Sequence, residues 1–139
     1  MTKKLNVKES MLNLNEFPVL NEKIILKEVL EEMSNFTLGI ACIVDKNFKL
    51  IGIITDGDIR RKILKIQKPF SALLNDDISK HITKNPTTTS LDKNLIKALR
   101  EMQKKKIWDL PVKNKKGKLI GLIHFHSIIK NLIRKKLKF

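Results

Sequence analysis

Apolar positions along this chain follow two periods. Leu26, Val29, Leu30 and Met33 stand at i, i+3, i+4 and i+7, the spacing of one face of an amphipathic helix. Gly39 breaks that pattern, and Ile40–Val44 is a β-rich apolar run. Asp45-Lys46-Asn47 reads as a turn and Leu50–Ile54 as a second strand, so the pair predicts a hairpin. A further helix is predicted from about Asp56 to Ile66. The same order follows later: helix Leu91–Lys104, strand Ile107–Val112, turn Asn114–Gly117, strand Lys118–Ile123 and helix Ser127–Lys136. Apolar runs such as Ile51–Ile54 predict strands covered on both faces or lying at an interface between the halves.

The recurrence is a repeat. At an offset of 69 residues Leu26/Leu95, Leu30/Leu99, Glu32/Glu101, Met33/Met102, Lys49/Lys118, Leu50/Leu119, Ile51/Ile120, Gly52/Gly121, Ile54/Ile123 and Ile59/Ile128 are identical. This predicts an α/β (α+β) fold of two copies, each a small sheet with flanking helices. Residues 1–68 form the first repeat with its leading segment, 69–79 a linker, and 80–139 the second repeat with a basic C-terminal helix. A unit of about 60 residues buries little alone, so the copies are expected to pack about a pseudo-twofold axis with a cleft between them. Pro18 and Pro86, each ahead of a first helix, mark leading strands or loops.

Length and composition bound the class. A chain of 139 residues with 42% apolar and 31% charged residues can bury a core. One cysteine excludes a disulfide framework and a Cys-based zinc site within one chain. No apolar run reaches the roughly 20 residues that cross a bilayer, and the basic start lacks a signal-peptide stretch; a soluble cytoplasmic protein is expected. The formal charge is +15, from 29 Lys and Arg against 14 Asp and Glu, and only four of the cations are arginine. Base readout favours arginine and single-strand platforms favour aromatics, yet there is no Tyr and one Trp. Nucleic-acid binding is therefore disfavoured. A solvated basic face and a docking surface for a phosphorylated ligand or acidic partner both remain open.

The segment Thr55-Asp56-Gly57-Asp58-Ile59-Arg60-Arg61 follows a predicted strand and opens a predicted helix. A helix N-terminus offers unpaired N–H groups and a partial positive charge to phosphate. Thr55 adds a hydroxyl, Arg60 or Arg61 a bidentate fork, and Asp58 an acceptor for ribose hydroxyls. Thr55-x-x-Asp58 fits a capping box equally well, and the two roles are compatible.

These residues carry a resemblance. Both copies, with Gly-Ile-Ile-Thr-x-x-Asp in the first, are similar to a tandem CBS pair (a Bateman module). Leu38-Gly39-Ile40, Thr55–Arg61 and Ile107-Trp108-Asp109-Leu110-Pro111-Val112 resemble the C-terminal CBS pair of arabinose 5-phosphate isomerases; a similar Thr55–Arg61 run occurs in CBS pairs attached to sugar-nucleotide nucleotidyltransferases. The resemblance implies a flat disc that binds adenosine nucleotides (AMP, ATP or S-adenosylmethionine), or in the isomerase branch a CMP-sugar such as CMP-Kdo. It implies a regulatory role toward a sugar-phosphate isomerase or nucleotidyltransferase, and a homodimer of discs. Carried over, Asp58 holds ribose and Thr55 phosphate, beside Asp56, Gly57, Arg60 and Arg61. Further contacts fall on Val19, Leu20, Ala41 and Cys42, and in the second copy on Thr87, Thr88, Leu110 and Pro111. There Thr55, Gly57 and Asp58 become His124, His126 and Ser127. A weakened second site is expected, with His124 in its polar lining.

Other candidates carry less. His124-Phe125-His126, with no acidic or Cys partner nearby in sequence and His81 as a distant third ligand, falls short of a metal site. Cys42 reads as a buried structural thiol, and Trp108 as core or interdomain packing. The helix Ile128–Phe139, with Ile129, Leu132, Ile133 and Lys135-Lys136, is basic and amphipathic; packing on the fold is the simpler reading over a membrane surface. No base–nucleophile pair is evident and no sugar-isomerising domain precedes the repeats, so catalysis is not expected. The alternative to ligand sensing is a dimerisation or docking module that binds no small molecule.

Overall fold

A computed structural model describes residues 5–136. In chain order the elements are α1 (Val7–Ser10), β1 (Val19–Asn21), α2 (Leu26–Phe36), β2 (Ile40–Val44), β3 (Leu50–Thr55), α3 (Asp56–Lys65) and α4 (Phe70–Leu74). A 3-10 turn (Ile78–Lys80), β4 (Thr83–Lys84), α5 (Leu95–Lys105), β5 (Asp109–Lys113), β6 (Leu119–His124) and α6 (Phe125–Lys136) follow. The helix–strand–strand–helix order expected of each copy is present in both.

Residues 15–86 form one compact unit; residues 5–14 and 87–136 belong to the other. The first unit has a four-stranded sheet ordered β1-β2-β3-β4, with β1 parallel to β2 and the other neighbours antiparallel. Leu26, Val29 and Met33, the predicted helical face, pack with Ala41, Ile43 and Ile54 of the strands and with Leu73 and Ile78. The stretch 69–79, read above as a linker, thus contributes Leu73 and Ile78 to this core. In the second unit Leu95, Ala98 and Met102 of α5 pack with Leu110, Val112, Ile123 and Ile128. Val7, read with the first repeat, lies fully buried in that second core, because α1 presents it there and Val7 N donates to Lys93 O at 3.0 Å.

Each sheet is closed at one edge by the segment that precedes the other repeat. Thr83 and Lys84 pair with Ile53 and Gly52. Leu12 bridges Leu122 antiparallel, with bonds of 2.7 and 3.1 Å between them. Gly52 and Gly121 permit this approach: a Cβ on Gly52 would meet Thr83 O at 2.8 Å, and one on Gly121 would meet Leu12 O at 2.9 Å. At the other edge the copies diverge. Cys42 N donates to Pro18 O at 3.0 Å, whereas its counterpart Pro111 has no N–H to donate. The parallel pairing there is the single bridge Thr89–Val112.

Helix ends differ from the periodicity. α5 starts at Leu95 rather than Leu91, because the Asn94 side chain accepts from Ile96 N and Lys97 N and caps the helix there. α2 ends at Thr37 (φ 52°) and α5 at Lys106 (φ 56°), both left-handed C-caps; Gly39 is not the breaker. The hairpin turns share one geometry. Asp45 Oδ1 accepts from Asn47 N and Lys49 N, and Asn114 Oδ1 from Lys116 N and Lys118 N. The turn needs a left-handed residue, which is Gly117 (φ 84°) in one copy and Phe48 (φ 64°) in the other. A side chain there is strained. Phe48→Gly is therefore expected to stabilise the protein by about 1 kcal/mol, read as a higher urea midpoint at unchanged slope.

Candidate functional site

The Thr55–Asp58 turn joins β3 to α3. Thr55 is extended (φ −123°, ψ 164°) and caps the helix: its hydroxyl accepts from Asp58 N at 3.2 Å, and Asp58 Oδ2 accepts from Thr55 N at 3.0 Å. This is the capping box. Asp58 is bonded further: Thr83 Oγ1 donates to Oδ2 at 3.4 Å, and Arg61 Nη2 donates to Oδ1 at 2.8 Å. The Arg61 guanidinium lies near Gly57, 3.2 Å from where a Cβ would stand.

Asp56 N donates to Gly39 O at 3.0 Å, and a Cβ on Gly39 would come within 2.6 Å of Asp56 Oδ2. The contact is with the end of an exposed side chain, so a Cβ there would need only a turn of the Asp56 carboxylate. Arg60 is exposed on the same turn of helix, and the flanking carboxylates complement the helix N-terminus. Among the resemblance-derived contacts, Val19 and Leu20 on β1 are half-buried, beside Cys42 and Ile43 in register. Ala41 and Cys42 are fully buried. The first unit therefore gathers Leu20, Ala41 and Cys42 on adjacent strands, and Thr55, Asp56, Gly57, Asp58, Arg60 and Arg61 on one turn.

The second unit holds the rest. Ser127 takes the place of Asp58: its Oγ accepts from His124 N at 3.2 Å and donates to His124 O at 2.7 Å. A hydroxyl thereby reproduces one half of the box, and it engages the backbone of His124 rather than its ring. His124 Nδ1 lies 2.6 Å from Asp109 Oδ1, so His124 does have an acidic neighbour, contrary to the reading of the HFH run. The signal was available: Asp109 and His124 are register partners across the hairpin. Among the described residues no group of three or more His, Cys, Asp or Glu side chains is placed to hold a metal. Trp108 is 65% exposed and stacks edge-on against Phe125 (5.1 Å, 82°), which corrects the core-packing half of its reading as core or interdomain packing. It lies ahead of β5, just past the Lys106 cap, where the first copy has Gly39. Thr87 is half-buried and accepts from Lys105 Nζ at 3.1 Å, Thr88 is half-buried, and Leu110 and Pro111 are buried. On α6, Ile128 and Leu132 pack into the second core while Ile133 is exposed; the Lys135 and Lys136 side chains lie outside the described residues. No helix among the described residues is long and apolar enough to cross a membrane.

His81, the distant ligand considered above, belongs to the first unit. It is buried, with Nε2 2.9 Å from Asp76 Oδ2, and Lys68 Nζ lies 2.6 Å from the same oxygen. The Lys68 hydrogen bond first, and the His81 bond second, hold Asp76 below the usual carboxylate range. A depressed folded pKa gives stability that is complete above the unfolded value near 3.9 and lost as pH falls through the folded value. Lys68→Met is thus expected to move the acid-unfolding midpoint to higher pH, read by circular dichroism between about pH 5 and 2.

The sequence profile of the CBS domain matches residues 7–65 and 76–134, both repeats. The chain belongs to the CBS domain family. This CBS pair is 31% identical to arabinose 5-phosphate isomerase KdsD of Francisella tularensis over 130 residues, which cover 94% of this chain and 38% of that protein. It spans little more than a third of the length of the curated relatives it matches. Its fold is shared with CBSX2 in complex with AMP (TM-score 0.82, 23% identity, 94% of this chain and 98% of that one). It is shared also with the CBS pair of MJ0100 in complex with 5'-methylthioadenosine and S-adenosyl-L-methionine (TM-score 0.80, 21% identity, 96% and 99%).

Proposed function

We propose that this CBS pair is a regulatory module. It binds an adenosine nucleotide or a nucleotide-sugar at the Thr55–Asp58 turn and passes its occupancy to a sugar-phosphate isomerase or a nucleotidyltransferase. The observation that carries the reading is the state of Asp58. Its Oδ2 serves the helix cap, whereas Oδ1 is engaged by Arg61, whose side chain is 63% exposed. An ion pair of that exposure contributes about 0–1 kcal/mol. Ribose hydroxyls can displace the guanidinium at small cost, and the freed fork can then engage a phosphate. Thr55 and the first turn of α3 supply the remaining donors. Support for the nucleotide class comes from CBSX2 and MJ0100, both described in complex with adenosine ligands. Support for a sugar-phosphate enzyme as partner comes from the similarity to KdsD. A ligand that binds one packing of the pair better than another shifts the population toward it.

A second reading, a dimerisation or docking module, is favoured by α3. None of its residues is buried, and Ile63 and Leu64 are 47% and 72% exposed. A second copy of the chain is the partner we propose for that face. Calorimetric titration of AMP, ATP, S-adenosylmethionine, CMP and CMP-Kdo separates the readings. Saturable heat with one of them supports the sensor and names its ligand class. Silence across the panel from folded protein transfers the assignment to docking.

A further inference from the structure

We propose that the second repeat carries a separate groove for a phosphorylated small molecule, at the strand ends opposite His124. The β5–β6 hairpin pairs Asp109 with His124 at one end and Lys113 with Leu119 at the other. Those ends are four residue steps apart along β5, about 13 Å. At the Lys113 end lies a groove of about 510 Å³ lined by Thr89, Ser90, Lys93, Lys113, Lys115 and Ile120, among others. That volume suits a metabolite.

Comparison of the two copies shows what opens the groove. At the same offset, Thr89, Lys93 and Lys113 replace Leu20, Ile24 and Val44. In the first repeat Leu20 and Ile24 pack against the core and Val44 is buried. The second repeat has put a hydroxyl and two ammonium groups where its twin has apolar filling. Thr89 is 6% exposed and its hydroxyl has no hydrogen-bond partner. A buried orphan hydroxyl is destabilising, so without a ligand to meet it a valine would serve the fold better. Lys93 is held only loosely, 3.6 Å from Glu101, and the one lining carboxylate, Asp92, accepts from Ser90 Oγ at 3.0 Å. Charge follows the same division: residues 1–14 and 87–139 carry 18 Lys and Arg against 4 acids, residues 15–86 only 11 against 10. Lysines and hydroxyls around an apolar wall such as Ile120 match a phosphomonoester on a small carbon skeleton.

The test is a ¹H–¹⁵N NMR titration of the whole chain with ribose 5-phosphate and inorganic phosphate, with sulfate at matched ionic strength as the charge control. Saturable shifts at residues 88–93 and 113–115, separate from any at 55–58, are expected with the phosphates and not with sulfate. The double variant Lys93→Ile/Lys113→Val imports residues that its twin repeat tolerates, and is expected to weaken binding at least about ten-fold. Thr89→Val is expected to weaken binding while raising the melting temperature. Equal shifts with sulfate, shifts confined to residues 55–58, unchanged affinity in the double variant, or no saturation by about 10 mM would each overturn the proposal. Because the groove and the Thr55–Asp58 turn are read from different signals, nucleotide binding can fail while the groove stands.

Discussion

Replacing Asp58 by Asn is expected to weaken nucleotide binding by about ten- to a hundred-fold and to leave the fold nearly as stable. The carboxylate is the acceptor proposed for the ribose hydroxyls, and hydrogen bonds to a charged acceptor contribute about 1.5–3 kcal/mol, which corresponds to that range of affinity. The amide keeps what the fold requires. Its oxygen can still accept from Thr55 N, as Asp58 Oδ2 does at 3.0 Å, and the Thr55 hydroxyl still accepts from the amide of residue 58. What the variant loses structurally is the Arg61 ion pair, with Arg61 63% exposed, a loss of about 0–1 kcal/mol. Calorimetry and thermal melting of the same samples check both halves. Full affinity in the variant removes the ribose role from Asp58; a large fall in melting temperature with the affinity assigns the residue to the cap instead. Ser127→Asp is the reciprocal change, since it rebuilds the missing carboxylate opposite His124 N.

A Cβ at Gly52 or Gly121 is expected to cost about 2–3 kcal/mol, the upper part of the range of about 1–3 kcal/mol for inserting a methyl group into packed structure. At Gly52 it would stand 2.8 Å from Thr83 O and 3.2 Å from Ile82 Cβ; at Gly121, 2.9 Å from Leu12 O. The obstacle is backbone on the neighbouring strand, so relief requires that segment to move away and give up its pairing. For a chain of this size such a loss lowers the melting temperature by roughly 10 °C. Hydrogen exchange locates the damage: Gly52→Ala should expose the β3–β4 pairing, and Gly121→Ala the amides of Leu12 and Leu122. Gly117→Ala is the control. It has open space around it but φ at +84°, so it should cost only the backbone strain, about 1–2 kcal/mol, with no loss of edge protection.

Much of this was legible in the residues because it is local. The i, i+3, i+4, i+7 face of α2 and the Asp45 and Asn114 turns depend on near neighbours, and the offset of 69 made each copy a check on the other. Thr55 and Asp58 are three residues apart, so their box could be read directly, as could the conflict between capping and binding. Gly39 was misread as a helix stop. The helix ends before it, at the left-handed Thr37 cap, and the Asp56 side chain that lies against it is 17 positions later, an approach no local pattern reports.

The remaining features depend on residues far apart in the chain. Leu12 meets Leu122 and Val7 fills the second core, because a short apolar segment pairs with whichever open edge folding brings to it, and periodicity carries no address. Asp109 and His124, 15 positions apart, face each other through hairpin register. Propensity and spacing settled the helix–strand–strand–helix order of each copy, but not the short helices Val7–Ser10 and Phe70–Leu74. Strand register and edge pairing settled which side chains meet, since these are set by long-range contacts that compete for the same backbone donors and acceptors.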